Sequence, residues 1–240
     1  MRPAIALAFA AVLAFTGPTA AQSLQELPFD KQMKLAKVGD VDAQYEIGLA
    51  FETGKGARQD EAEAARWFRQ SALQGNVEAQ YHLARLVAKG AKGLKQDLST
   101  ALKLYQDAAA KGHAPAMNAL GQAYQQGKGT SADPARAAEW YRKAADLKLA
   151  DAQNNLGMLY LRGAGVSRDL AEAFRLFEAS ASQNDAWGLN NLGGMYEMGW
   201  GIPADKTKAL GLYKQALSAG NAQARQNIER LAGTVQPVAR

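Results

Sequence analysis

Residues 151–184 read DAQNNLGMLYLRGAGVSRDLAEAFRLFEASASQN and predict two short helices. The first predicted helix spans 152–162 and the second spans 170–182, with Gly163, Gly165 and Asp169 between them. Glycine adopts turn conformations that other residues avoid, and aspartate is a preferred residue at a helix start. The stretch therefore predicts an antiparallel helical hairpin, and most of the chain repeats it.

The hairpin recurs five times, at intervals of 36, 37, 36 and 36 residues. Each copy has a small residue early in its first helix and another small residue five positions later. The extra residue of the longer interval lies in the second turn, and loops tolerate insertions. The small pairs are Ala43 and Gly48, Ala79 and Ala84, Ala116 and Gly121, Ala152 and Gly157, and Gly188 and Gly193.

A second set of positions recurs after each turn as an aspartate, an alanine four residues later and an aromatic residue four further on. The alanine and the aromatic residue share one helix face, so both are predicted to lie in the core. The aspartates are interpreted as N-caps of the second helices in preference to five catalytic acids. The positions are Asp60, Asp97, Asp133, Asp169 and Asp205, then Ala64, Ala101, Ala137, Ala173 and Ala209, then Phe68, Tyr105, Tyr141, Phe177 and Tyr213.

Glycine inside the first helices predicts a close contact between helices. It costs about 1 kcal/mol relative to alanine, yet it recurs at Gly48, Gly121, Gly157 and Gly193. We expect a neighbouring helix to approach these positions too closely for a side chain. Ala84 indicates that a methyl group is the largest group that fits.

The first residues resemble an export signal. Arg2 precedes an apolar run at 5–15, and small residues follow up to a predicted cleavage after Ala21. The alternative is a membrane anchor, but the run is shorter than the ~20 residues that cross a bilayer. The mature chain is therefore predicted to be periplasmic or secreted, without membrane insertion.

The predicted fold is all-α with about 11–12 helices. Because a terminal repeat needs a polar outer face, the array is expected to carry a cap at each end. The predicted segments are a signal peptide at 1–21, an N-terminal segment with a capping half-repeat at 22–40, repeats at 41–77, 78–114, 115–150, 151–186 and 187–220, a capping helix at 221–232 and a flexible tail at 233–240.

Composition argues against several kinds of site. The chain has no cysteine, which excludes disulfides, thiol catalysis and thiolate metal ligands. The formal net charge is +5, but lysines and arginines alternate with acids, which favours solvated helix faces over a nucleic-acid surface. His82 and His113 are interpreted as surface or helix-end residues without acids placed for a metal site. No nucleophile or phosphate-loop motif occurs, so we predict no catalytic residue, no metal and no cofactor.

The repeated unit resembles the Sel-one-like repeat, a subfamily of the tetratricopeptide-type helical repeats. The similarity covers residues 41–220, with departures at Val87, where other copies have an aromatic residue, and at the Trp187-Gly188 start of the last copy. Some secreted members carry one disulfide per repeat, and this chain has none. The residues that carry the resemblance are Ala152, Leu156, Gly157, Tyr160, Gly163, Gly165, Val166 and Asp169 in the fourth copy and Ala137, Trp140, Tyr141, Lys143, Ala144 and Ala145 in the third.

The resemblance implies a right-handed superhelical solenoid of antiparallel helix pairs that holds other proteins together or in check. In such arrays the first helices line the concave face, where partners lie. The implied function is a non-enzymatic scaffold, either an adaptor or a negative regulator, which binds a peptide or helix of an envelope protein. The alternative is an envelope hydrolase or a glycan- or peptidoglycan-binding protein that uses the same scaffold.

A recurring file of amides marks the predicted groove. Asparagine is a poor helix-interior residue because its amide competes with the backbone. The file is therefore either a hydrogen-bonded ladder between repeats or a strip that grips a peptide backbone. The aromatic residues of the second helices are favoured as core anchors over a sugar platform. The predicted partner-binding residues are Tyr45, Tyr81, Arg85, Asn118, Gln122, Asn154, Asn155, Met158, Arg162, Asn190, Asn191 and Trp200.

Overall fold

The structure is a computed structural model that describes residues 24–90 and 93–233. The predicted signal peptide at 1–21, residues 91–92 of the second turn and the predicted tail beyond Gly233 lie outside the described residues. Within the described ranges, no helix combines the length and the apolar character that crossing a membrane requires.

The fold is all-α. Twelve helices of nine to thirteen residues follow one another in the described part of the chain, and each packs against the next. Five consecutive helix pairs form the repeats, with one helix before them and one after. The helices are α1 (Phe29–Lys37), α2 (Val41–Thr53), α3 (Glu61–Leu73), α4 (Val77–Lys89), α5 (Leu98–Ala110), α6 (Ala114–Gln126), α7 (Pro134–Asp146), α8 (Ala150–Arg162), α9 (Leu170–Ala181), α10 (Ala186–Met198), α11 (Lys206–Ser218) and α12 (Ala224–Ala232).

The first helix of each repeat is called the A helix (α2, α4, α6, α8 and α10), and the second is called the B helix (α3, α5, α7, α9 and α11). Neighbouring A helices also contact each other directly, as α8 and α10 do. Every A helix has thirteen residues, so equivalent positions can be compared by their order in the helix.

Aspartates begin the B helices as the sequence predicts. Asp133, for example, accepts a 3.0 Å hydrogen bond from the backbone N–H of Arg136 at the start of α7. Such a cap is worth about 1 kcal/mol because it satisfies a backbone donor that the helix leaves unpaired. The five capping residues are Asp60, Asp97, Asp133, Asp169 and Asp205.

The helix glycines lie where the sequence predicts a close contact. A methyl group on Gly121 would come within 2.5 Å of the Tyr141 ring, and one on Gly48 equally close to Phe68. The rings that fill these spaces are almost fully buried, with Tyr141 and Phe177 at 0% exposure. Each A helix thus leaves room for the aromatic side chain of its own B helix, which forms the repeating core.

The start of one helix needs correction. Helix α8 begins at Ala150, two residues earlier than predicted, because Lys148 adopts a left-handed conformation (φ 65°) that ends the preceding turn. At the N-terminal end, α1 begins at Phe29 after Pro28, with Asp30 in its first turn. In the first turns of α3 and α9, Glu63 and Glu172 form ion pairs with Arg66 and Arg175.

Both ends of the array are covered. Helix α1 packs its Ala36 with Ala43 and Ile47 of α2 in an N-terminal cluster. Helix α12 packs Leu231 with Tyr213 and Leu189 at the other end. These two helices bury the outer faces of the first and last repeats, as a solenoid requires.

Candidate functional site

The predicted contact residues lie on the A helices, except Trp200, which follows α10 in a turn. Their side chains differ in exposure, and only exposed or half-buried ones can reach a partner. Asn118 and Asn154 are buried. Arg85, Gln122, Arg162 and Trp200 are exposed, and Tyr45, Tyr81, Asn155, Met158, Asn190 and Asn191 are half-buried.

The asparagines form a ladder between repeats. Asn155 Nδ2 donates to Asn118 Oδ1 at 3.0 Å, and Asn191 Nδ2 donates to Asn154 Oδ1 at 2.7 Å. A third rung joins α12 to the array, with Asn227 Nδ2 donating to Asn190 Oδ1 at 2.9 Å. The first two rungs link the sixth position of one A helix to the fifth position of the preceding A helix, and the third rung links α12 to the fifth position of α10. Of the two interpretations of the amide file, the inter-repeat ladder is therefore present.

The ladder does not exhaust the hydrogen-bonding capacity of these amides. A side-chain amide offers two donors and two acceptor positions, and each rung uses one donor and one acceptor. Asn155, Asn191 and Asn227 are half-buried, so their carboxamides border the surface of the A helices. An extended backbone lying along this surface could therefore bond to them without breaking a rung.

At the N-terminal end, the ladder is replaced by aromatic rings and two histidines. The His82 ring contacts Tyr45 and Tyr81 with centroids 5.8 and 5.7 Å apart, and the His113 ring lies 4.8 Å from that of Tyr81. Arg85 lies over the Tyr81 ring at 5.8 Å. The tyrosine hydroxyls stay protonated, since burial raises the pKa of Tyr45 to about 12 and also raises the pKa of Tyr81.

Each histidine pairs with one glutamate. His82 Nδ1 lies 2.6 Å from Glu52 Oε2 of the preceding A helix, and His113 Nε2 lies 3.0 Å from Glu78 Oε2. His113 also caps α6 by accepting from the backbone N–H of Ala116. In the described ranges, no three His, Cys, Asp or Glu side chains are grouped to hold a metal.

The twelfth residue of each A helix, here called the junction residue, was missed by the sequence analysis. Gln125 Oε1 accepts from the Tyr141 hydroxyl at 2.7 Å. Glu197 Oε2 accepts from the Tyr213 hydroxyl at 2.7 Å and also pairs with Arg230 of α12. The sequence pattern does not predict a role for this position, because its residue type changes between repeats. The junction residues are Glu52, Ala88, Gln125, Leu161 and Glu197.

The carboxylates of Asp151 and Asp185 lie close enough to interact, as the two carboxylates of a hydrolase site would. Burial and the nearby Asp185 carboxylate raise the pKa of Asp151. However, Asp185 caps α10 by accepting from the Gly188 N–H, and it also accepts from the Ser180 hydroxyl. These bonds give Asp185 a structural role at the helix start.

The tryptophans divide between core and surface. Trp67 and Trp140 are half-buried on B helices, and Lys143 lies 4.1 Å over the Trp140 ring. Trp200, between Gly199 and Gly201, is 37% exposed, and its backbone N–H donates to the Met195 carbonyl. Trp187, which the sequence analysis did not propose as a contact, is the more exposed at 49%.

Comparison with protein families finds one matching description, the Sel1 repeat. It matches five times, at residues 41–76, 77–113, 114–149, 150–185 and 188–221. These matches cover all five helix pairs seen in the structure. Among curated proteins, none is similar enough to count as a match.

Solved structures with the same architecture include c5321 of uropathogenic Escherichia coli, described as a protective antigen with an SLR fold. It is 32% identical over 88% of this chain, with a TM-score of 0.77, but the match spans only 45% of its own length. A Sel1 repeat protein from Oxalobacter formigenes is 27% identical, with 89% of this chain and 91% of that chain covered and a TM-score of 0.76. The immunity protein PA5088 of Pseudomonas aeruginosa is 22% identical over 83% of this chain and 72% of its own, with a TM-score of 0.55, and shows the fold alone.

Proposed function

Because the chain belongs to the Sel1 repeat family, whose scaffold is typical of protein–protein interaction, we propose that it is a non-enzymatic adaptor or negative regulator in the cell envelope. Its partner is another envelope protein, which lays a peptide or a helix along the A helices. The family membership supports a protein partner, and the N-terminal sequence supports export.

One observation carries the proposal: successive A helices present exposed Arg85, Gln122 and Arg162 as well as the half-buried ladder amides Asn155, Asn190 and Asn191. Amides can bond to the peptide backbone whatever its sequence, whereas arginine and glutamine side chains can select among side chains. A continuous file of such groups suits an extended ligand better than a small molecule.

The test is an affinity pull-down of the mature chain from an envelope extract, followed by mass spectrometry and a binding assay with the purified partner. Arg85→Ala combined with Arg162→Ala removes two exposed A-helix charges without touching a rung of the ladder. The matched control is Arg69→Ala combined with Lys103→Ala, which removes two exposed charges from B helices. We expect the first pair to weaken binding at least about tenfold, a change of about 1.4 kcal/mol, and the control to leave it within about twofold.

Equal binding by the two double variants would contradict an A-helix binding surface. Asn154→Ala combined with Asn190→Ala tests the amides separately. Each change removes one ladder rung, so the folded state is checked by helical circular dichroism at the same temperature. A folded variant that keeps its partner would show that the asparagines act only as a structural ladder.

A second candidate function, binding of glycan or peptidoglycan strands, is favoured by the exposed indoles of Trp187 and Trp200. Aromatic rings at a surface are common anchors of binding sites. Sedimentation with insoluble peptidoglycan tests this candidate directly. If the protein pellets with it, and Trp187→Ala with Trp200→Ala abolishes pelleting, the glycan function replaces the protein adaptor.

A further inference from the structure

The junction between repeats 2 and 3 differs from the other junctions in having a small junction residue, Ala88. The sixth position of α6 is also small, with Ala119 where the next two repeats have Asn155 and Asn191. A crevice of about 270 Å³ opens between α4, α5 and α6 at this place. Since each liquid water occupies about 30 Å³, the crevice has room for a group much larger than one water.

The crevice contains a tyrosine whose equivalents have an acceptor. Tyr141 donates its hydroxyl hydrogen to the junction residue Gln125, and Tyr213 donates to Glu197, both at 2.7 Å. Tyr105 occupies the same position on α5 and lines the crevice, but its junction residue is Ala88, which has no acceptor. Among the described residues, no hydrogen bond joins the Tyr105 hydroxyl to another protein group, and the hydroxyl is not sealed from solvent, since no buried side-chain oxygen there lacks a partner.

We propose that this crevice binds a glutamate side chain of the partner protein, whose carboxylate accepts the hydroxyl hydrogen of Tyr105. The protein itself shows that the chemistry fits, because Glu197 makes this contact with Tyr213 in the last repeat. The inference rests on the proposed function as a protein-binding scaffold and names what one of its subsites recognises.

The lining of the crevice suits the aliphatic part of a glutamate as well as its charge. Leu98 and Leu102 provide apolar surface for the methylene groups, and Gln122 provides an amide donor. Lys89 and Lys128 supply positive charge at the crevice, and none of the described residues that line it is acidic. Lys89 already pairs with Glu61 at 2.6 Å, which leaves Lys128 as the principal cation for a ligand. This charge balance favours a carboxylate over the neutral amide of glutamine.

Tyr105 is suited to donate at any physiological pH. Burial raises its pKa to about 12, so the hydroxyl keeps its hydrogen. A hydrogen bond from a neutral hydroxyl to a carboxylate is charge-assisted and stronger than one to an amide. The Tyr105 side chain is only 9% exposed and its ring contacts Tyr81, so its orientation is restricted before a ligand arrives.

In the experiment, displayed random peptides of about twelve residues are selected for binding to the mature protein. Peptides that also bind the Ala88→Glu variant are then removed by counter-selection. That variant supplies the missing carboxylate from within the chain, as Glu197 does for Tyr213. Glutamate also occupies this position in repeat 1, as Glu52, so the variant is expected to fold. We expect the selected peptides to contain a glutamate whose replacement by glutamine weakens binding about tenfold or more.

Tyr105→Phe is expected to weaken the same peptides at least about fivefold, and the matched control Tyr141→Phe less than about twofold. Phenylalanine occupies this position in repeats 1 and 4, so Tyr105→Phe keeps the core filled. Unchanged affinity in Tyr105→Phe overturns the inference. So does a selection that yields no glutamate-dependent peptide, or one in which Ala88→Glu binds as well as the wild type.

The purified partner from the pull-down separates this inference from the proposed function. If Ala88→Glu and Tyr105→Phe bind that partner normally while the A-helix arginine variant does not, the crevice inference fails and the scaffold function stands. If the A-helix arginine variant also binds normally, the proposed function fails as well.

Discussion

At the scale of single residues, the surroundings of a helix glycine decide the effect of adding a methyl group. Gly121 faces the Tyr141 ring, where a methyl carbon would lie 2.5 Å from two ring atoms, whereas Gly211 on α11 has nothing within 4 Å. We expect Gly121→Ala to destabilise the protein by about 1–3 kcal/mol, the usual cost of overpacking a core. Gly211→Ala should stabilise it by about 0.5–1 kcal/mol, since alanine is the better helix former.

Thermal unfolding followed by circular dichroism compares the two glycine variants under one set of conditions. The Gly121→Ala midpoint should fall and the Gly211→Ala midpoint should rise. Because Ala84 is tolerated beside Tyr105 in repeat 2, some movement of the ring is possible. A Gly121→Ala protein as stable as the wild type would mean that Tyr141 can move aside without losing its bond to Gln125.

The ladder supplies a second test at the scale of single residues. Asn154 is 8% exposed and accepts from Asn191, so a lost rung leaves polar atoms that are largely cut off from water. A double-mutant cycle with Asn154→Ala and Asn191→Ala should give a coupling free energy of about 0.5–1.5 kcal/mol in the unfolding equilibrium. Additive effects of the two changes would show that the rung contributes nothing to stability.

Residues that recur at the same position were predictable, whereas contacts between unlike repeats were not. Asp133 and Gly121 each have equivalents in other repeats, and their local roles follow from helix ends and close packing. The pairing of His82 with Glu52 joins residues 30 apart, and no other repeat has a histidine at the position of His82. Such a contact depends on how two repeats stack, and neither its spacing nor its chemistry is repeated along the sequence.

At the scale of the helix, α12 is fastened to the array through Glu197. The Glu197 side chain is 7% exposed and pairs with Arg230, while the Tyr213 hydroxyl donates to the same carboxylate. The hydrogen bonds from Arg230 lower the pKa of Glu197 below its ordinary 4.5. Stability from this contact is therefore present above about pH 4.5 and is lost as the pH falls through the lower pKa of the folded state.

Arg230→Ala is expected to lower the free energy of unfolding by about 1–3 kcal/mol at pH 7, because it leaves a largely buried carboxylate without its main partner. The control is Arg175→Ala, which removes the exposed partner of Glu172 and should cost less than about 1 kcal/mol. Denaturation curves at pH 7 and pH 3 test both variants. The difference between wild type and Arg230→Ala should shrink at pH 3, and a difference that grows with acidity would contradict the assignment.

At the scale of the whole molecule, a solenoid is stabilised mainly by contacts between neighbouring repeats, so its weakest junction sets how it opens. The junction between repeats 2 and 3 has the crevice, a small junction residue and no rung of the asparagine ladder among the described residues. It is still joined at the far end of the A helices, where His113 contacts Glu78. The repeat pattern predicted the stacking of five helix pairs but not this local gap. The gap lies beside Ala88 and Ala119, at two helix positions whose residue type varies between repeats.

Ala88→Gln tests whether the gap at this junction costs stability. Glutamine at this position would reach the Tyr105 hydroxyl as Gln125 reaches Tyr141 in the next repeat. The added hydrogen bond should raise the free energy of unfolding by about 0.5–1.5 kcal/mol, and hydrogen exchange in α5 and α6 should slow.

The Ala88→Gln variant should also lose its binding to peptides that depend on a glutamate, since its own side chain then occupies the crevice. If stability rises and binding is lost, the wild-type protein leaves the Tyr105 hydroxyl without an internal acceptor at the place where the partner provides one. If Ala88→Gln is no more stable than the wild type, the Tyr105 hydroxyl does not need an acceptor, and the crevice is only a packing defect.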